Sequence, residues 1–521
     1  MISRRAFLGS SSLFATHLFG QPAGSRKPSA DLEKLGAGAL REAKKLKASY
    51  CDIRINRYRD QSISVRLSPE RGTGKTLEVP SVSHDESFGF GVRVIADGAW
   101  GFAASPVVTP EEIARITAEA VTVARASAKI QAKPVVLAPS PAYTDRWVSP
   151  HERNPFEVPV KEKLDLLRAA TAEVKKEKRI FSSTGMLLFH AEDKYFASSE
   201  GSSIQQLVVQ TMLNLSAQAV DSAQRLSRTR NYTPPPLEAG WEYVPKTNLL
   251  EHAPRIREEV LEHLAAPPVQ PGPKDLVLMP SHLYLTIHES IGHSTELDRA
   301  LGYEANFAGT SFLTPDKMGK ERVGSEIVTI YGDRTYEQGL ATVAYDDDGV
   351  KTTRFPIIEK GIFRHYQTIR DQAHLIGEKE SRGCCYADSW ASIPFQRMPN
   401  VWLAPGPRET TLAGLIGGVD DGILIEGRGS YSIDQQRYNF QFGGDAFYEI
   451  KGGRKRGMLS RVAYQSRTPD FWQACDGIAG PSEWEQYGTP GDGKGEPMQS
   501  NSVSHGCSPA RFRRINVIQT D

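Results

Sequence analysis

Two imidazoles and a carboxylate fall within one short run, His288-Glu289-Ser290-Ile291-Gly292-His293, inside the stretch SHLYLTIHESIGHSTELDRALG. Neutral imidazole is a favoured zinc ligand, and a carboxylate beside the ion can take a proton from water that the metal has acidified. These are the parts of a hydrolase. Their spacing sets a problem. In an H-E-x-x-H helix the imidazoles are four residues apart, about 40° around the axis, and face one ion. Here they are five apart, about 140° on an ideal helix. The sequence therefore predicts a helix that bulges by one residue or unwinds near Gly292, where a missing Cβ makes distortion cheap. Glu289 adjoins His288 and is the expected general base, taking a proton from water and returning it to the departing amine. Glu296 and Asp298 are expected to accept hydrogen bonds from the imidazole N–H groups.

An open catalytic site needs a third donor, and three residues compete for the place. Asp492 precedes Gly493-Lys494-Gly495, Cys507 ends Ser504-His505-Gly506-Cys507, and Glu296 lies on the histidine segment itself. A carboxylate can ligate zinc at about 2.0–2.2 Å, a thiolate is the softer and stronger ligand, and two histidines with a glutamate is a known catalytic set. Two histidines with Asp492 would also suit Fe(II).

Several stretches resemble the TldD/PmbA family of bacterial zinc metallopeptidases. They are HESIGHSTELDRALGYEANFAGTSF, GLATVAYDDDGV at 339–350, RMPNVWLAPG at 397–406, GGVDDGILIEG at 417–427, GKGEPMQSNSVSHGCSPARFRRINV at 493–517, and FGFGVRVIADGAWGFAAS at 88–105. The resemblance implies a two-part subunit, one Zn²⁺ per subunit, and an extended or unfolded peptide cleaved inside a dimer. The dimer would be two copies or a pairing with a related PmbA/TldE-type subunit that lacks the histidines. This chain keeps them and so resembles the TldD type. It departs from the family at Asp492, where the family carries a Cys ligand. A non-catalytic peptide-binding subunit is the alternative that this departure raises.

The elements that must position these residues read as α+β. Ser29 is the expected cap of a helix over 29–48, with Leu32, Leu35, Ala39 and Leu46 on one side. Ile53 and Ile55, then Ile63, Val65 and Leu67, alternate with polar residues and suggest paired strands. A hairpin is expected across Ala96-Asp97-Gly98. Thr109-Pro110-Glu111-Glu112 is a capping box opening another helix. A helix near 159–176, strands over 179–190, 193–199 and 203–219, and a helix near 248–264 follow. The strand LVLM then leads into the histidine helix, with Ser281 as its expected cap, and 408–465 reads as a strand meander. The expected organisation is an N-terminal, sandwich-like domain over 29–236, with a middle subdomain from about 135 and antiparallel strands throughout. A C-terminal domain over 245–517 would be dominated by a large antiparallel sheet carrying the metal helix.

With 521 residues the chain can bury more than one core, and 63 basic against 62 acidic residues gives no sign of a nucleic-acid or anionic-membrane partner. Five cysteines, with no C-x-x-C pair, exclude a disulfide framework and a four-cysteine zinc module. Ser3-Arg4-Arg5-Ala6-Phe7-Leu8 resembles a twin-arginine export signal within residues 1–28, too short to anchor in a bilayer, and implies a periplasmic or extracellular location. Gly72-Thr73-Gly74-Lys75-Thr76 lacks the leading Gly of a phosphate loop, with Pro69 in its place, and reads as a mobile loop. Gly89-Phe90-Gly91 lacks the third Gly of a dinucleotide fingerprint. Asp346-Asp347-Asp348-Gly349 lacks the spacing of a calcium loop and reads as a solvated turn.

Overall fold

The computed structural model describes residues 27–520 except 71 and 74, so the twin-arginine-like stretch expected over residues 1–28 lies outside the described residues apart from Lys27 and Pro28. The first half is one seven-stranded sheet. Its strands are β1 (Tyr50–Pro69), β2 (Thr76–Ala96), β3 (Ala99–Ser105), β4 (Thr144–Val148), β5 (Ile180–Ser198), β6 (Ser203–Asp221) and β7 (Leu226–Tyr232). They run in the order β3-β2-β1-β5-β6-β4, with β7 also on β6, and all pairs are antiparallel except β4 with β6. What the alternation around Ile53 and Ile63 suggested as two paired strands is a single strand of 20 residues. Likewise 179–199 is one strand, β5. The expected α/β sandwich-like domain is thus built on long antiparallel ribbons in a single sheet.

Four helices cover one face of this sheet: α1 (Ala30–Lys45), α2 (Pro110–Ala128), α3 (Val160–Val174) and α4 (Leu249–Ala265). Ile53 and Ile55 pack under α1 and α2, and Ile63 and Val65 under α3 and α4. The Thr109 hydroxyl accepts from the Glu112 N–H at 3.3 Å, as the capping box requires. Ser29 does not cap α1 with its side chain; its N–H donates to Gln205 Oε1 instead.

The alternate residues Asp52, Arg54 and Asn56 would face water if the sheet stood alone, but they are buried against the C-terminal half. There the Asp346–Asp348 run proves to be no solvated turn. Arg93 Nη2 donates to Asp348 Oδ1 (2.6 Å) and Asp52 Oδ2 (2.7 Å), and Lys194 pairs with Asp347 at 3.3 Å. Gln206 pairs with the Tyr345 backbone through both its amide groups. Burial, with Asp348 beside it, pushes the Asp346 carboxyl up to about 7. A polar face alternates with an apolar one in the same way whether it meets water or a complementary charged surface, so pattern alone could not separate the two.

The second half centres on a nine-stranded sheet. Strand β8 (Gly272–Leu278) lies between Ala510–Gln519, which is antiparallel to it, and Asp421–Glu426, which is parallel. The other pairs of the sheet are antiparallel, so the expected large antiparallel sheet holds with one parallel pair in it. The sheet runs out through Val462–Arg467 and Asn439–Phe442 to the edge strand Tyr431–Ile433. A separate two-stranded ribbon, Glu485–Lys494 with Gln499–Cys507, packs on α5 (Pro280–Ile287), the helix that leads into the histidine run. No described helix is long and apolar enough to cross a membrane, and the five cysteines are buried free thiols.

Candidate metal centre

Helix α5 starts at Pro280 without a side-chain cap; the Ser281 hydroxyl accepts from the Gly427 N–H at 3.0 Å instead. At His288 the helix widens into a single π-helical turn over His288–Gly292, closed by the His293 N–H on the His288 carbonyl. This is the one-residue bulge that the spacing demanded, and it brings the two imidazoles to 4.5 Å between ring centroids. The carbonyls around the turn find side-chain donors. Ser294 Oγ donates to Ser290 O (2.7 Å), Thr295 Oγ1 to Ile291 O (2.7 Å) and Gln367 Nε2 to Gly292 O (2.6 Å). Gly292 itself is right-handed helical, and a Cβ there would meet Met398 Sδ at 2.6 Å. Close packing, not an unusual backbone angle, explains this glycine.

The donors converge. Asp492 Oδ1 lies 3.5 Å from His288 Nε2 and 3.4 Å from His293 Nε2. One ligand atom from each of these three buried residues falls within 4.8 Å of the others. Donors held about 2.0–2.2 Å from one ion at tetrahedral corners stand about 3.3–3.6 Å apart. The residues present therefore fit a divalent cation. The ribbon supplies Asp492 at an irregularity in its register, and Arg397 Nη2 donates to Asp492 Oδ2 at 3.1 Å. Cys507 is elsewhere. It pairs with Glu485 at the far end of the ribbon, packs in the apolar core, and has its thiol pushed well up by burial and then by the Glu485 charge. Glu296 is also outside the donor set; its Oε2 lies 2.8 Å from His293 Nδ1, on the far side of the ring.

The other nitrogens of both rings are fixed. Glu296 holds the His293 Nδ1–H, and is itself bound by Arg299 Nε (2.5 Å) and Lys494 Nζ (3.0 Å). Burial pushes the Glu296 carboxyl up, but Lys494 and Arg299 outweigh it and hold it well below the usual range. Asp298 binds Lys494 at 2.8 Å and no imidazole, contrary to expectation. His288 Nδ1 lies 2.8 Å from His505 Nε2, and His505 Nδ1 lies 3.0 Å from the Val401 carbonyl. A carbonyl only accepts, so His505 carries its proton on Nδ1 and accepts from His288 on Nε2. That leaves the lone pair of His288 Nε2 facing Asp492. Burial holds His505 well below the usual imidazole range, in keeping with the neutral ring that this hydrogen-bond chain requires.

Sequence reasoning missed His505 although it sits two residues before Cys507, because nothing in local spacing connects it to a residue 217 positions away. Replacing His505 by Ala should weaken binding of a divalent ion by about 10–100-fold. His505→Gln, which keeps an acceptor towards His288 and a donor towards Val401, should recover much of the loss. Competition titration against a chromophoric chelator reads both.

Glu289 is buried beside the donors but is not one of them. Its Oε2 accepts from Arg437 Nη1 at 2.7 Å, and Tyr431 lies close enough for the Glu289 charge, followed by burial, to raise its phenol. Arg437 comes from the hairpin that joins Tyr431–Ile433 to Asn439–Phe442, with a left-handed φ of +63°. Asp434 holds that hairpin by accepting from the Tyr438 N–H (2.8 Å) and the Asn439 N–H (2.9 Å). Glu289, Tyr431, Asp434 and Arg437 line a cavity of about 380 Å³ that opens onto the donor atoms.

Comparison with known proteins agrees along most of the chain. Residues 271–519 match the PmbA/TldA metallopeptidase C-terminal domain, 75–124 match domain 1 and 153–262 the central domain. The chain belongs to the TldD/PmbA family. A metalloprotease of Methanocaldococcus jannaschii is 28% identical over 82% of this chain and 89% of its own length. A zinc metalloprotease TldD homologue of Saccharolobus solfataricus is 22% identical over 92% of this chain and 98% of its own length. Crystalline TldE from Thermococcus kodakarensis shares the TldD/PmbA fold with a TM-score of 0.70 and 18% identity, covering 94% of this chain and 100% of that one. Relatives bearing the metalloprotease name support a peptidase-like function for this TldD/PmbA chain.

Proposed function

We propose that the protein is a zinc-dependent peptidase acting on extended or unfolded peptides within a dimer. The observation that carries this reading is the meeting of His288 Nε2, His293 Nε2 and Asp492 Oδ1, with Glu289 beside them and outside the ligand set. When bound there, a divalent ion supplies Lewis acidity to the scissile carbonyl and acidifies water. The chain's own residues do the rest. Glu289, oriented by Arg437, accepts a proton from the attacking water and delivers it to the departing amine. The Tyr431 hydroxyl and the Arg437 guanidinium border the space where negative charge develops on the carbonyl oxygen, and both can donate to it. His505 and Glu296 hold the imidazoles in the tautomers that turn lone pairs to the site.

Extended substrates are favoured by the edge strand Tyr431–Ile433, which lines the cavity with Tyr431 and Ile433. An unpaired strand edge accepts a peptide through backbone hydrogen bonds and reads little of its sequence. The TldE likeness supports pairing with a related subunit, and a second copy of this chain is the other arrangement.

Two histidines and one carboxylate can also hold Fe(II), and one experiment separates the readings. Chelation of the purified protein should abolish cleavage of a permanently unfolded protein, and stoichiometric Zn²⁺ should restore it. Restoration by anaerobic Fe(II) alone, or cleavage of the folded form as fast as the unfolded one, would overturn the proposal.

A further inference from the structure

Carboxylates and cations around the donor atoms are almost completely matched. Arg299 binds Glu296 (2.5 Å), Arg397 binds Asp492 (3.1 Å) and Arg437 binds Glu289 (2.7 Å). Arg428 is different. It lines the same 380 Å³ cavity, yet among the described residues no carboxylate lies within ion-pair distance of it. Its guanidinium sits 5.5 Å over the Tyr431 ring and beside the hydroxyls of Tyr284 and Tyr431, which are neutral partners.

The backbone that carries Arg428 is locked on both sides. Gly427, at φ +70°, donates its N–H to Ser281 Oγ (3.0 Å), and its carbonyl accepts from His282 Nδ1 (3.0 Å). A Cβ on Gly427 would come within 2.6 Å of the Asp445 Cβ, and one on Gly429 within 2.5 Å of the Gly444 carbonyl. Arg428 is thus presented from a fixed loop. It stands, with Tyr284, at the junction of the metal-site cavity and a second cavity of about 580 Å³ walled by Tyr232, Tyr487 and Pro490. The edge strand Tyr431–Ile433 begins three residues further on, so a peptide paired with that strand would run past the guanidinium.

We infer that Arg428 reads a carboxylate of the bound peptide, either its free C-terminus or an acidic side chain near the scissile bond. The planar guanidinium fork matches a carboxylate with two parallel hydrogen bonds, and the Arg428 side chain is exposed at the cavity and open to one that a bound peptide brings. This rests on the peptidase reading for the word substrate, but its test uses binding as well as turnover.

The test uses N-terminally dansylated, unstructured hexapeptides with a free or amidated C-terminus, each with Glu or Gln at successive positions. Their Kd values are measured on the chelated full-length protein. Wild type should bind one carboxylate-bearing form roughly tenfold or more tightly than its neutral counterpart. Arg428→Gln should abolish that difference while binding neutral peptides as wild type does, and Arg428→Lys should keep part of it. A preference that follows the free C-terminus identifies the terminal carboxylate; one that follows Glu at a fixed position identifies a side chain. Wild type blind to every carboxylate, or an undiminished preference in Arg428→Gln, overturns the inference. If zinc-loaded wild type cleaves no peptide, the peptidase reading fails while the binding preference still decides the role of Arg428.

Discussion

Replacing Glu289 by Gln is expected to lower kcat for peptide hydrolysis by about 10²–10⁴-fold, with the metal content per subunit unchanged. The two readouts part company because Glu289 is adjacent to the donor group without belonging to it. Gln keeps the shape of the side chain and an oxygen for Arg437, whose Nη1 donates to Glu289 at 2.7 Å. It removes only the capacity to take a proton. A Glu289→Gln enzyme within about threefold of wild type, a small fraction of the usual general-base effect, would take the proton-transfer role away from this residue. If that retained activity belonged to a complex with a related subunit, this chain would read as the peptide-binding member.

The second large effect concerns the third donor. Asp492→Asn should weaken divalent-metal binding by at least about 100-fold, more than is lost when a supporting residue behind a ligand is changed. Its fold should persist, because the amide oxygen can still accept from Arg397. Asp492→Ala loses the metal as well, but it strips a fully buried guanidinium of its carboxylate partner. Breaking a buried pair from one side costs about 3–5 kcal/mol, so Tm should fall in Asp492→Ala and fall less in Asp492→Asn, which loses the charge but keeps a hydrogen-bond acceptor. Asp492→Cys should retain zinc, since a thiolate is a strong ligand. Cys507→Ala, a change within the apolar core, should leave metal binding untouched. Metal lost from Cys507→Ala but kept by Asp492→Asn would reverse the assignment.

Local features of the chain were legible in its sequence, and distant partnerships were not. The helix over Pro110–Ala128 announced itself through Thr109, whose hydroxyl caps it. The five-residue spacing of His288 and His293 demanded a bulge, and a π turn supplies it. Ser29 and Ser281 look like the same kind of cap as Thr109, yet Ser281 accepts from Gly427, 146 positions away, and caps nothing. Asp52 and Arg54 alternate with isoleucines as solvent-facing residues would, and only the fold reveals that their face meets another buried charged surface. At the centre itself, the histidine pair was readable because its members are neighbours. The resemblance to the TldD/PmbA family drew attention to the position of Asp492. His505, Arg397 and Arg437 converge from segments that share no spacing rule with the histidines.

The π turn at His288–Gly292 accommodates one extra residue between the imidazoles. Deleting any one residue from Ser290 to Gly292 would let the segment relax into an unbroken α-helix, with its backbone ladder whole. The same deletion would leave the two histidines four apart, the spacing whose imidazoles face one ion on an ideal helix, and Glu296 and Arg299 would keep their places relative to the His293 ring they brace. The widened turn thus gives a five-residue spacing the geometry of a four-residue one, with a single interruption in the backbone ladder, and a shortened variant that still bound a divalent ion would show the extra residue to be dispensable for the metal.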